Sequence, residues 1–325
     1  MNRHLFSKFL AVSVGLACIG LAYNHNKSAT YELNGSIYGT YWRLVSPEYI
    51  SDTLNAKVLD ELHRIDLLAS NYKQESELSL INQSPLGVDL EISKEMHNLL
   101  SYAEDVNELS DGFYDITLGS IVSDLGFGTP AISENTQSNI SLKRFTLVES
   151  AIIRYTNAQL DLSSIAKGYA VDRVAQILIQ SGRTNFLFDV GGEIFISGTR
   201  HDEPWSIGIQ DPLSISYAPI KIIKSINRLA VATSGEYRNY SMQDDGRVLS
   251  HTVNPFTETS IDHSVLSVTV TNENSAMHAD TWATALNVLG SDRGLQIANE
   301  QGLSVMYIIK KGDGMNFLYS DYWGH

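Results

Sequence analysis

Asp161-Leu162-Ser163-Ser164-Ile165-Ala166-Lys167-Gly168-Tyr169-Ala170-Val171-Asp172 decides how the rest of the chain is read. The pattern predicts a helix over Ser164 to Gln180, with Ser163 or Ser164 as N-cap and Gly182 as its stop. A strand-to-helix junction is where mixed proteins place anion-binding groups, because first-turn N–H groups are free and the dipole end is positive. Lys167 sits in that first turn, where the dipole disfavours a cation, so an anion nearby is expected. Two segments of the same kind follow: Asp189-Val190-Gly191-Gly192-Glu193, and His278-Ala279-Asp280-Thr281-Trp282-Ala283-Thr284-Ala285.

Upstream, Tyr31 to Val45 alternates as a strand pair, with a turn expected near Asn34-Gly35. Leu54, Val58, Leu62, Ile65 and Leu68 recur at helical spacing within Ser51 to Ser70. A second helix is predicted over Ser93 to Leu109, closed by Asp111-Gly112. Gly112 to Pro130 reads as a glycine-rich loop, and 131–160 as short strands and turns. Downstream, strands are predicted at Phe186–Val190, Ile194–Ser197, Trp205–Gln210, Ile220–Ser225, Leu229–Thr233, Ser264–Thr271 and Ser304–Ile309. Helices are predicted over Ser275 to Leu289 and Asp292 to Gln301, ended by Gly290 and Gly302. Strands outnumber helices without regular alternation. The expectation is α+β, mostly antiparallel sheet with packed helices, as one compact body over 31–325.

Residues 1–23 read as an export segment: Arg3, His4 and Lys8 precede an uncharged apolar run from Phe9 to Tyr23. That run is short for a bilayer span, which needs about 20 residues. Residues 24–30 form a polar linker. Cys18 is the only cysteine, so no intrachain disulfide is possible. Two processing sites compete: cleavage before Cys18, leaving it lipidated, and cleavage after Ala22. Either puts the body on the periplasmic side of a bacterial inner membrane, touching the membrane only through the N-terminal segment. The formal net charge of −14 argues against nucleic acid or anionic lipid as partner.

The chemistry-bearing residues each admit a plain structural reading. Asp280 and Thr284 are i, i+4 on a predicted helix and share a face. A carboxylate and a hydroxyl there suit Mg²⁺, which takes oxygen ligands and shares its shell with phosphate; a dipole-stabilised Asp and a packed Thr fit as well. Asp161 is either a capping-region carboxylate or an acceptor for a ligand ring. Gly191-Gly192 lets a backbone approach a ligand closely, or is a hairpin turn flanked by Asp189 and Glu193. His251, in His251-Thr252-Val253-Asn254-Pro255, suits proton transfer near neutral pH, although a lone His is more often structural. Arg238 can clamp phosphate or pair with Glu236. No dinucleotide, P-loop, zinc-peptidase or serine-hydrolase motif occurs.

Six pieces in order resemble the ApbE family, the FAD:protein FMN transferases. They are Gly112-Phe113-Tyr114-Asp115-Ile116-Thr117, the Leu160–Asp172 stretch, Gly191-Gly192-Glu193, Ala232 to Arg238, His251 to Pro255, and Ala279-Asp280 through Thr284-Ala285. The resemblance implies an FAD cleft contacted by Tyr38, Tyr72, Phe113, Tyr114, Asp115, Asp161, Lys167, Gly191, Gly192, Glu193, Arg238 and His251. It implies Mg²⁺ on the pyrophosphate, held by Asp280, Thr284 and main-chain oxygens near Ser164 and Ala283. A Thr or Ser hydroxyl of an acceptor protein, expected to be a membrane electron-transport subunit, then attacks the FMN-side phosphorus and AMP leaves. His251 is the candidate base, and Asp280 competes for that role unless both its oxygens face the metal. The chain departs from the family at Tyr38, where Met is usual, at Ser163-Ser164, where Gly-Gly is usual, and at Asp189, where Asn is usual. A Mg²⁺-dependent FAD pyrophosphatase and a non-catalytic FAD-binding lipoprotein are the alternatives.

Overall fold

The computed structural model describes residues 29–125, 143–214, 218–235, 240–242, 248–250, 252–261, 263–312 and 314–325. The expected export segment with Cys18, residues 126–142, Arg238 and His251 lie outside the described residues. Among the described residues no helix is long and apolar enough to cross a membrane.

The frame is an eight-stranded sheet. Counting only its members, the strands are β1 (Tyr31–Ile37), β2 (Thr40–Ser46), β3 (Phe186–Val190), β4 (Glu193–Ser197), β5 (Leu229–Gly235), β6 (Val265–Asn272), β7 (Ser304–Lys311) and β8 (Gly314–Tyr319). They lie side by side in chain order, and every pairing is antiparallel. The helices are α1 (Asp52–Ala69), α2 (Glu77–Gln83), α3 (Lys94–Leu109), α4 (Gly119–Asp124), α5 (Ser163–Gln180), α6 (Ala276–Leu289) and α7 (Ser291–Glu300). The expected α+β class, with mostly antiparallel sheet and packed helices, is what the chain adopts.

Both faces of the sheet are covered, and alternation sorts side chains between them. Ala230, Ala232, Val268, Val270, Val305 and Tyr307 join the large core on the helix side. Leu229, Val231, Met306 and Ile308 face a second core closed by Trp205, Ile207, Ile209 and Ile223. Those four come from the paired strands Glu203–Gln210 and Pro219–Ser225. Two-sided burial fits the run of apolar residues in Phe186–Val190, where successive side chains enter a core.

The expected turn at Asn34-Gly35 is a correction. Those residues lie inside β1, paired with Arg43 and Trp42, and the hairpin turns at Tyr38-Gly39, both at positive φ. Gly35 is a close approach instead, since a Cβ there would come within 2.6 Å of the Trp42 indole. The expected Ser163 or Ser164 cap is also corrected. Both serines lie inside α5, whose N-cap Leu162 supplies no side-chain bond, and Asp161 Oδ1 instead accepts from the Ser163 N–H at 2.8 Å. Within the predicted Gly112–Pro130 loop, α4 occupies Gly119–Asp124.

The junction of α5 and α6 positions the site. A Cβ on Gly168 would sit 2.5 Å from the Ala276 carbonyl oxygen, so only glycine permits this crossing. One turn on, the Asp172 carboxylate accepts from Ser275 Oγ (2.6 Å), the Ala276 N–H (2.6 Å) and the Met277 N–H (3.1 Å). It serves the free N–H groups at the start of α6 from a neighbouring helix.

Candidate functional site

Asp280 lies on α6 directly across from the glycine at this crossing. It is 3% exposed, and its Oδ2 accepts from the Gly168 N–H at 3.0 Å. Its Oδ1 stands 3.8 Å from Lys167 Nζ, and the same ammonium donates to Glu193 Oε1 at 3.0 Å. Burial pushes the Asp280 carboxyl up to about 7, with the Lys167 charge opposing the rise and Glu193 adding to it. The anion that first-turn Lys167 called for is therefore supplied by the protein's own carboxylates.

Thr284 stands one turn beyond Asp280 and is the only residue from Ala279 to Val288 that is not buried. Its hydroxyl lies 3.4 Å from Ser234 Oγ on β5. Among the described residues no cluster of three or more His, Cys, Asp or Glu can hold a metal unaided. The oxygens the described residues bring here are the Asp280 and Glu193 carboxylates and the Thr284 and Ser234 hydroxyls. That donor chemistry fits Mg²⁺, which completes its shell with phosphate and water, and the raised Asp280 pKa marks a buried carboxylate that a cation would stabilise.

The other expected site residues divide by where the fold puts them. Gly191 and Gly192 turn between β3 and β4 at φ 64° and 105°, fastened by Asp189 Oδ1, which accepts from the Gly192 N–H at 2.8 Å. Tyr41 donates to Asp189 Oδ2 at 3.1 Å. Glu193 opens β4 and is buried, paired with the half-buried Lys167 that also approaches Asp280. Tyr114 is buried and shares a hydrogen bond with Ser164 Oγ at 2.9 Å, bolting its segment to α5; burial raises its phenol well above the usual value. Asp115 accepts from the Thr117 N–H at 2.8 Å and from Arg144 at 3.0 Å. Beside it a cavity of about 340 Å³ is lined by Gly112, Asp115, Thr117, Arg144 and Phe256, and Phe113 packs edge-on against Phe256. Tyr38 donates to the Leu62 carbonyl at 2.7 Å, whereas Tyr72 is 71% exposed. Ala283 is buried between Asp280 and Thr284.

The ApbE family model matches residues 38–307, from the β1–β2 turn to the middle of β7. The chain belongs to the ApbE family. A Vibrio cholerae FAD:protein FMN transferase is 34% identical over 297 residues, 87% of this chain and 88% of its own. A Salmonella typhimurium protein of the same name is 32% identical over 305 residues, 88% of this chain and 86% of its own. Among solved structures, the flavin transferase ApbE from Vibrio cholerae superposes with a TM-score of 0.78 at 29% identity, covering 91% of this chain and 98% of that one. The apo form of the Pseudomonas stutzeri flavinyl transferase ApbE gives 0.79 at 28% identity, covering 91% and 96%.

In this ApbE chain, sequence reasoning missed the residues that hold the others in place. Asp172 was visible only as the end of the Asp161–Asp172 stretch, with no local sign that it starts a different helix. Ser234 lies within the quoted Ala232–Arg238 piece, but nothing in the sequence tied it to Thr284, 50 residues away, or Tyr41 to Asp189, 148 residues away.

Proposed function

We propose that this chain is an FAD:protein FMN transferase. It transfers FMN from FAD to a Thr or Ser hydroxyl of an acceptor protein and releases AMP. The observation that carries this reading is the buried Asp280, facing Lys167 across the α5–α6 crossing with the less buried Thr284 one turn away. The shared name of relatives more than 30% identical over most of both chains supports it.

In the reaction the acceptor Oγ–H attacks the FMN-side phosphorus of FAD. A new O–P bond forms, the bond from that phosphorus to the bridging oxygen breaks, and the bridging oxygen leaves with AMP. Such displacements need in-line placement and charge neutralisation more than covalent help from the protein. A magnesium ion held by Asp280, Thr284 and main-chain oxygens of Ser164 and Ala283 would supply charge neutralisation on the pyrophosphate, which a chain of net charge −14 lacks globally. Lys167 adds a fixed positive charge at the rim. Asp115, Phe113 and the cavity beside them form a wall for the flavin nucleotide, and the Asp189-fastened glycine turn forms another. The acceptor proton passes to a base, for which the sequence offers His251. Asp280 is a poor base in this arrangement, because its oxygens are directed at Gly168 and Lys167.

The reading extends to place and partner. Residues 1–23 carry the body to the outer side of the inner membrane, lipidated at Cys18 or cleaved after Ala22. The acceptor there is an electron-transport subunit.

Intact-mass spectrometry of an acceptor domain incubated with FAD and Mg²⁺ tests the reaction. A flavin-sized gain with matching AMP is expected, and Asp280→Ala should abolish both while FAD still binds. AMP and free FMN with an unchanged acceptor would show a pyrophosphatase instead, and bound FAD with no products a binding protein.

A further inference from the structure

Glu193 is held where a carboxylate is costly. Its side chain is 7% exposed, Oε1 accepts from Lys167, and Oε2 is buried with no hydrogen-bond partner among the described residues. An isolated buried carboxylate oxygen costs folding energy unless the group holds a cation. The cation it holds is Lys167, whose ammonium lies 3.0 Å from Glu193 and 3.8 Å from Asp280. The turn before Glu193 is rigidly set. A Cβ on Gly191 would come within 2.8 Å of Thr40 Cγ2, the Gly191 N–H donates to the Tyr41 carbonyl at 3.0 Å, and Asp189 holds the Gly192 N–H. Glu193 therefore has little freedom to follow Lys167, and Lys167 must come to Glu193.

We propose that Glu193 is a positioning residue that draws the Lys167 ammonium away from the Asp280 carboxylate and keeps that carboxylate open to a divalent cation. The inference rests on the cation site proposed above. Without the Glu193 contact, Lys167 closes the gap to Asp280 and competes with the cation for it. With the contact, the ammonium stays at the rim, 28% exposed on its side chain, where it meets a nucleotide phosphate.

Mn²⁺ binding to the purified protein without nucleotide, followed by loss of the free-ion EPR signal, tests this. Glu193→Gln keeps the shape and removes the charge. Glu193→Asp keeps the charge and retreats from Lys167 by one methylene. Both should weaken Mn²⁺ binding, the first by about tenfold as expected for coupled neighbours. Lys167→Met should not weaken it, and E193Q in the K167M background should leave the K167M affinity unchanged. Unaltered binding in E193Q and E193D overturns the proposal. So does an equal loss with and without Lys167, which would mean that Glu193 attracts the ion only through its charge. A wild-type protein that takes up no Mn²⁺ overturns the cation site itself, and this inference with it.

Discussion

Asp280 concentrates the chemistry of this chain in one side chain. Its folded pKa of about 7 exceeds the ordinary 3.8 because burial disfavours the charged form. Between those values the folded protein holds a proton that the unfolded chain has released. This group's contribution to stability therefore falls as pH rises across that window. A cation must displace the same proton, so its affinity should rise with pH up to about 7 and then level off. Calorimetric titration of the protein with Mg²⁺ at about pH 6 and about pH 8 should show tighter binding at the higher pH and proton release at the lower. A pH-independent affinity would mean that Asp280 is not the group the ion meets.

At the scale of elements, the α5–α6 crossing is the device that matters, and it was only half legible. Gly168 lies within the Asp161–Asp172 stretch that opens the sequence reading, but its reason is the Ala276 carbonyl of another helix, which no local pattern reveals. The lengths of α5 and α6 were readable from 3.6-residue periodicity and closing glycines. The start of α5 was not, because its leading N–H is served by Asp161 rather than by a serine inside the helix. The β1–β2 turn was misplaced for a similar reason. Asn-Gly usually marks a hairpin, but here the Trp42 indole claims the space beside Gly35, and Tyr38 takes the positive φ that Asn more often adopts. Asp172→Ala removes three acceptor contacts and leaves the start of α6 unserved. We expect a loss of about 2 kcal/mol in urea unfolding, from cap and buried-donor costs together, accompanied by lower turnover as Asp280 shifts. Unchanged stability would show that α6 starts without help from α5.

Over the whole molecule, the sheet separates two jobs. Its helix side carries the site, and its far side carries a core with no expected site residue among the described residues in it. The strands themselves were legible as mostly antiparallel sheet, but that both faces are buried was not. Which neighbours they take was not legible, since strands close in space are as far apart in sequence as β2 and β3. Trp205 is 3% exposed in the far core and donates to the Ser197 carbonyl at 3.0 Å. Trp205→Ala should cost about 3–5 kcal/mol of stability in denaturant unfolding, yet leave AMP release near the wild-type rate in protein that remains folded. A proportional loss of rate would join the two faces.

The most direct measurement is anomalous X-ray scattering from a crystal soaked with FAD and Mn²⁺. The account predicts a manganese peak within bonding distance of the Asp280 carboxylate and the Thr284 hydroxyl, touching the FAD pyrophosphate. A peak elsewhere, or bound FAD with Asp280 still facing only Gly168 and Lys167, would contradict it.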